Sequence, residues 1–167
     1  MSPLEQRKQQ IELYSTAVSE FFLECSGEAA LVRSVFLLDK PQAPILWNDF
    51  NSFVSMEGVW VGSVCVSASR KLLSHVLLLS GRGRYEDEEH LGVVDQIATQ
   101  FARRTRLKYG SRLRVSAPEG FCGRSRLVPK LSRASPCAIT FSWRGYEAGL
   151  VVDVDTPNAA SRAQRIM

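Results

Sequence analysis

The sequence lacks the features that mark several large classes of protein. No apolar run in its 167 residues approaches the roughly 20 residues needed to cross a bilayer. The first residues contain no apolar stretch of the kind found in secretory signals. The four cysteines, Cys25, Cys65, Cys122 and Cys137, do not have the paired short spacing of zinc or redox sites, and each lies among apolar neighbours. We therefore expect a cytoplasmic protein with buried thiols, no membrane insertion, and no metal or cofactor of its own.

Histidine is also scarce, with two residues in the chain. His75 lies in an apolar helical pattern, where packing is a commoner role than ligation. His90 follows a run of four acidic residues at the start of the next helix, and we expect it to be solvated. Serine is plentiful, but nothing in the sequence shows that either histidine meets a serine or cysteine side chain in the fold, so it suggests no pair of nucleophile and base.

What the chain does have is the composition of an ordinary globular domain, with 45% hydrophobic and 23% charged residues. A chain of this length can bury a core without disulfides or a structural metal. Helical and strand patterns both occur along it, which predicts a single α/β domain of helices packed on an antiparallel or mixed sheet. We expect that domain to span residues 1–155, and residues 156–167 to form a flexible polar tail.

Local patterns define the predicted elements. Ser2 and Glu5 form a capping box, apolar residues then recur every three or four positions, and Gly27 ends this first helix. Branched and alternating apolar residues between turn signals indicate the strands, whose number the sequence leaves open. The predicted helices are 3–26, 69–79 and 87–108, and the predicted strands are 30–38, two within 52–67, one near 113–117, 136–142 and 146–154.

The predicted helix 87–108 has an apolar side and a polar side. Its acidic first turn suits the positive end of the helix dipole. The apolar stripe consists of Leu91, Val94, Ile97, Ala98 and Phe101. On the other side, polar residues follow one another at steps of one, three, four and three, which places them together on one exposed face. These residues are Asp95, Gln96, Thr99, Arg103 and Arg106.

Charge is distributed unevenly along the chain. Residues 1–102 contain 8 Lys and Arg against 13 Asp and Glu, whereas residues 103–133 contain 10 Lys and Arg and a single acid, Glu119. Clustered positive charge attracts acidic surfaces, phosphates or nucleic acid, although it can also serve solubility alone. Only Tyr109 and Phe121 could stack on bases in this segment, so the sequence does not favour nucleic acid as a partner.

The segment from Met56 to Leu73 resembles a block of the CheX-like and CheC-like chemotaxis phosphatases, in which Gly-x-x-x-Gly-x-Val leads into a strand and then a helix. In that family an acidic loop and a long helix follow, and then an aromatic residue before glycine and a strand that reaches a proline. This chain has the same features in the same order: Glu86 to Glu89, the long helix, Tyr109 and Gly110, and Pro118. The resemblance covers about residues 50–154.

The resemblance implies a fold that is often dimeric, docks on a phosphorylated receiver domain and hydrolyses its aspartyl phosphate. In the family the asparagine of a Glu-x-x-Asn motif on the long helix holds the attacking water, and the glutamate contacts the receiver's lysine. Here Gln96 and Thr99 occupy those positions, and Arg103 replaces a glycine one turn later. Gln96 is neutral, so it cannot form the ion pair with a lysine that a glutamate would form. The corresponding residues of the first helix, Leu13 and Thr16, do not suggest a second site.

Three functional hypotheses follow. The first is a CheX-like two-component signalling protein, catalytically degenerate, that binds a response-regulator receiver domain or another signalling partner through the polar face from Asp95 to Arg106. The second is an active aspartyl-phosphate phosphatase that uses Gln96 and Thr99, with Mg²⁺ supplied only by the receiver. The third is a module that binds an anionic nucleotide ligand through the arginines of 103–133. The resemblance also implies a homodimer.

Overall fold

A computed structural model describes residues 2–37, 48–123 and 136–155. Its elements are α1 (Pro3–Ser26), β1 (Leu31–Leu37), β2 (Phe50–Gly58), β3 (Val61–Ala68), α2 (Arg70–Leu79), α3 (Asp87–Tyr109), β4 (Leu113–Val115), β5 (Glu119–Cys122), β6 (Cys137–Trp143) and β7 (Tyr146–Asp155). The α/β class predicted from the sequence is confirmed, with helices packed on an antiparallel sheet in a single domain. The predicted tail, 156–167, lies outside the described residues.

One open antiparallel sheet contains all seven described strands. The strand order is β1-β6-β7-β3-β2-β4, and β5 also pairs with β2. Residues 56–58 of β2 pair with β4 and residues 50–53 pair with β5, so two short strands share one edge of β2. The sequence analysis missed β5, because Glu119 and Gly120 have the character of loop residues and the pairing that makes them a strand is long-range.

The main core lies between one face of the sheet and the three helices. α1 begins at the predicted capping box, in which the Ser2 hydroxyl accepts from the Glu5 N–H and the Glu5 carboxylate accepts from the Ser2 N–H. Gly27 ends α1 at φ 79°, as predicted. α1 packs on α3, where the rings of Tyr14 and Phe101 meet edge to face with centroids 5.6 Å apart. α3 is thus held between a neighbouring helix and the sheet.

Two local expectations were wrong. His90 is completely buried rather than solvated, because α2 packs against the first turns of α3 and covers the ring. Cys122 is exposed on the short strand β5, whereas Cys65 and Cys137 are buried as expected. Cys25 is half-buried.

No helix among the described residues is long and apolar enough to cross a membrane.

Candidate functional site

Four polar side chains of α3 lie together on its outer side. Gln96, Thr99, Arg103 and Arg106 are all exposed, and we call these four residues the α3 face. The rise of an α-helix makes this stripe about 15 Å long. The opposite side of the helix is buried against β2 and β3 and includes Val94, Ile97, Ala98 and Phe101. The apolar packing of α3 therefore orients the α3 face away from the core.

Asp95 does not share this exposure. Its side chain is half-buried, and Oδ1 accepts a 2.6 Å hydrogen bond from the buried Ser52 hydroxyl of β2. Gly120 of β5 is so close that a Cβ atom there would be 2.8 Å from the same oxygen. The expectation that Asp95 is exposed with the other four residues is therefore corrected. Its carboxylate joins α3 to the sheet.

The two residues at the positions of the family motif are neutral. The Thr99 hydroxyl donates a 2.8 Å hydrogen bond to the Asp95 carbonyl oxygen in the preceding turn. Because its proton is used there, Thr99 can offer a further partner only the lone pairs of its oxygen. The exposed Gln96 amide can both donate and accept. The α3 face can therefore orient a water or bind a polar partner, but it contains no carboxylate.

The two arginines of the α3 face are partly positioned by their neighbours. Arg103 donates to the side-chain oxygen of Gln100, one turn earlier. Arg106 donates to the carbonyl oxygen of Val115 in β4, at 3.3 Å. A guanidinium has five N–H donors, so most of the donors of each arginine are left for another molecule. Both arginines are exposed and can meet a carboxylate or a phosphate in a bidentate arrangement.

Positive charge continues beyond the end of α3. An open cavity of about 560 Å³ is lined by Arg106, Gly110, Ser111, Leu113, Arg114 and Val115. Arg114 is exposed and forms an ion pair with Glu57 at 3.2 Å, a contact that solvent weakens. Arg104 lies on another side of α3 and pairs with Glu20 of α1. Residues 124–133 of the basic segment lie outside the described residues.

The corresponding positions of α1 do not form a similar surface. Leu13 and Thr16 are both half-buried, since α1 packs against α3. Among the residues that the structure describes, no three His, Cys, Asp or Glu side chains come together in a way that could hold a metal ion.

Several solved structures share this fold. CheX from Desulfovibrio desulfuricans matches with a TM-score of 0.68 at 12% identity, over 89% of this chain and 99% of that chain. A CheC-like superfamily protein from Shewanella sp. PV-4 matches with a TM-score of 0.70 at 13% identity, over 87% of this chain and 97% of that chain. A chain of the CheX–CheY complex from Borrelia burgdorferi, solved with beryllium fluoride and magnesium, matches with a TM-score of 0.62 at 16% identity, over 87% of this chain and 97% of that chain.

These likenesses establish that the chain has the fold of CheX-like and CheC-like chemotaxis proteins. No protein-family model matches the sequence, and no curated protein matches it either.

Proposed function

We propose that this chain is a CheX-like signalling protein that docks a response-regulator receiver domain on the α3 face without efficient phosphatase chemistry. The observation that carries the proposal is the α3 face itself, which presents an amide, a hydroxyl and two guanidinium groups to solvent on a CheX-like fold. The Borrelia structure contains CheX together with CheY, and we assign a receiver-type partner to this chain by analogy of fold. A partner of this kind implies a cytoplasmic location.

The chemistry of the α3 face supports binding better than hydrolysis. In the family that the sequence resembles, a glutamate of the long helix contacts the receiver's lysine. Here Gln96 is neutral, and the nearby carboxylate of Asp95 is already bonded to Ser52. Arg103 adds a positive charge about one turn from Thr99, which disfavours a lysine and favours an anionic group. We therefore infer that the receiver presents an acidic surface to this helix.

The arginines also give the docking a predictable salt dependence. Exposed charges steer association over distances of about one Debye length, roughly 8 Å at physiological ionic strength. Arg114, which lines the same open cavity as Arg106, extends the positive surface from the α3 face to the edge of the sheet. Added salt should therefore slow association with an acidic receiver more than it speeds dissociation.

An assay of phosphoryl loss separates binding from catalysis. Purified chain is mixed with a panel of phosphorylated receiver domains in Mg²⁺, and bound receiver and remaining phosphate are both measured. The proposal expects a bound receiver whose phosphate is lost at the intrinsic rate. Faster loss that disappears in Thr99→Ala would contradict it and would support the active phosphatase. The Thr99 lone pairs, which could hold a water, are the observation that favours that second function.

The arginine-lined cavity at the end of α3 is the observation that favours an anionic nucleotide as ligand instead. A thermal-shift screen with nucleotides tests this, because a saturating ligand raises the melting temperature according to its concentration relative to Kd. If a nucleotide stabilises the wild-type chain but not Arg106→Glu, and no receiver binds, the result would contradict receiver docking and support a nucleotide-binding module.

We also propose that β1 pairs with β1 of a second copy. β1 is an edge strand whose only described partner is β6. Its exposed apolar residues lie on both faces: Leu31, Val32, Val35, Phe36 and Leu37. An unprotected apolar edge of this kind pairs readily with another strand, and antiparallel pairing of two identical strands closes a twofold dimer. Sedimentation should show a dimer that Val35→Lys converts to a monomer, and a wild-type monomer at all concentrations would contradict the pairing.

A further inference from the structure

A serine and a histidine lie side by side where α2 meets the first turns of α3. The Ser74 hydroxyl oxygen is 2.8 Å from Nε2 of His90. The Nδ1 atom of the same ring is 2.7 Å from the carbonyl oxygen of Glu86. Neither residue belongs to the α3 face, and the docking proposal gives them no role.

The partners determine where the protons lie. A carbonyl oxygen can only accept, so Nδ1 of His90 carries a proton and donates it to Glu86. In a neutral imidazole the other nitrogen is then an acceptor, and the Ser74 hydroxyl must donate to Nε2. This is the order of groups in an activated serine: a hydroxyl, a base that receives its proton, and an acceptor that orients the base. Here the carbonyl oxygen of Glu86 accepts from the histidine, as a carboxylate does in a catalytic triad.

The base is held rigidly. The His90 ring is fully buried and stacks on Phe50, with centroids 5.0 Å apart and an 11° angle between the rings. The guanidinium of Arg70 covers the Phe50 ring at 4.9 Å. Arg70 also forms a 2.8 Å ion pair with Asp87, which joins the first turn of α2 to the first turn of α3. A base that is fixed in this way can receive a proton without first being reoriented.

Ser74 itself is accessible from outside. It is half-buried and lines an open cavity of about 580 Å³. The other lining residues are Arg70, Lys71, His75, Leu78, Tyr85 and Tyr146. The tyrosines and Leu78 supply a flat apolar wall, and Lys71 lies one turn before Ser74 on the same side of α2.

We propose that Ser74 is a nucleophile that takes an acyl group from aryl esters of small carboxylic acids bound in this cavity. The Ser74 oxygen attacks the ester carbonyl carbon and forms the new C–O bond, while its proton moves to Nε2 of His90. This attack gives a tetrahedral intermediate, and the exposed Lys71 ammonium can approach its oxyanion. The bond between the carbonyl carbon and the alcohol oxygen then breaks, and the alcohol leaves with the proton from His90. Water repeats the sequence on the acyl-serine, releases the carboxylic acid and restores the Ser74 hydroxyl.

The first test is covalent labelling of the full chain with a fluorophosphonate probe, in which the serine oxygen bonds phosphorus and fluoride leaves. Folded protein should be labelled once, at Ser74, about a hundredfold faster than urea-unfolded protein, which is the usual contribution of a positioned base. Ser74→Ala should not be labelled. Ser80→Ala is the matched control and should be labelled like the wild type, since Ser80 follows the last residue of the same helix and its hydroxyl donates to the Val76 carbonyl.

Turnover of 4-nitrophenyl acetate supplies the second readout. Its rate should be lost in Ser74→Ala and kept in Ser80→Ala. A substitution of the buried His90 can prevent folding. The role of His90 as the base is therefore tested with Ser74→Cys. Its thiol should react with iodoacetamide faster than the exposed Cys122 of the same molecule. Labelling that is no faster than in unfolded protein, or that persists in Ser74→Ala, would overturn the proposal and leave the Ser74–His90 hydrogen bond as a link between two helices.

Discussion

The hydroxyl of Ser52, buried in β2, donates a 2.6 Å hydrogen bond to the carboxylate of Asp95 on α3. This contact joins two residues that are 43 positions apart in the sequence and links α3 to the sheet. Asp95 is half-buried, whereas its neighbour Gln96 and the residue one turn later, Thr99, are exposed. The hydrogen bond therefore adds a polar link to the apolar packing that orients the α3 face.

Removal of the Asp95 carboxylate should destabilise the fold. Asp95→Ala leaves the buried Ser52 hydroxyl without its acceptor, and we expect the free energy of unfolding to fall by about 1–3 kcal/mol. Urea unfolding followed by circular dichroism measures the change. Gln96→Ala is the matched control, because the adjacent exposed side chain should matter by less than about 0.5 kcal/mol. Equal effects of the two substitutions would show that the contact contributes nothing to stability.

Two glycines near Asp95 should respond to alanine in opposite directions. In Gly120→Ala the new methyl would lie 2.8 Å from Asp95 Oδ1, so the carboxylate or β5 must move, at a cost of about 1–3 kcal/mol. In Gly92→Ala the methyl would meet nothing within 4 Å. Because Gly92 is within α3, alanine there should stabilise the protein by about 0.5–1 kcal/mol. Thermal unfolding of both variants gives the sign of each change in stability. Destabilisation by Gly92→Ala would contradict the open space assigned to Gly92, and an unchanged stability in Gly120→Ala would contradict the close fit assigned to Gly120.

Restoration of the family motif should create activity. The double variant Gln96→Glu with Thr99→Asn places a carboxylate and an amide where the resemblance assigns contacts to the lysine and the water. For a receiver that binds, we expect phosphoryl loss to accelerate by roughly a hundredfold, the usual contribution of one well-placed polar group. The rate is measured from the phosphorylated receiver with and without the variant. A variant that binds as the wild type does, with no acceleration, would show that these two side chains are not what limits catalysis.

The buried thiol of Cys65 gives stability a pH dependence. Burial raises the pKa of this thiol, whereas an unfolded cysteine ionises near about 8.5. Above that pH the unfolded chain loses the proton and the folded chain keeps it, so stability should fall as pH rises, by up to about 1.4 kcal/mol per pH unit for each such thiol. Urea unfolding between pH 7 and 10 measures the slope. Cys65→Ala should reduce this slope, and an unchanged slope in Cys65→Ala would contradict the prediction.

Features that depend on local patterns could be predicted from the sequence. The repeat of apolar residues and the acidic first turn were enough to place α3 at 87–108, and the structure has it at Asp87–Tyr109. The capping box and Gly27 likewise marked both ends of α1. In each case the residues that define the element lie within a few positions of one another, so their spacing contains the information.

Features that depend on contacts between distant segments could not be predicted. β5 is a strand only because residues 50–53 pair with it. His90 is buried because α2 and the Phe50 ring of β2 cover it, and the carboxylate of Asp95 meets Ser52, which is 43 positions away in the sequence. An acidic first turn and a polar position are both typical of solvent-facing residues, so the sequence offered no signal for either of these contacts. The Ser74–His90 pair was missed for the same reason.

The most direct test of receiver docking on the α3 face is the affinity of the chain for a receiver domain activated with beryllium fluoride and Mg²⁺, measured for the wild type, Arg103→Glu and Lys108→Glu. The two substitutions make the same change of charge at two exposed residues on different sides of α3. The account predicts that Arg103→Glu weakens binding at least tenfold, or by about 1.4 kcal/mol, while Lys108→Glu binds as the wild type does. Equal affinities for all three proteins, or no binding by the wild type to any receiver, would contradict it.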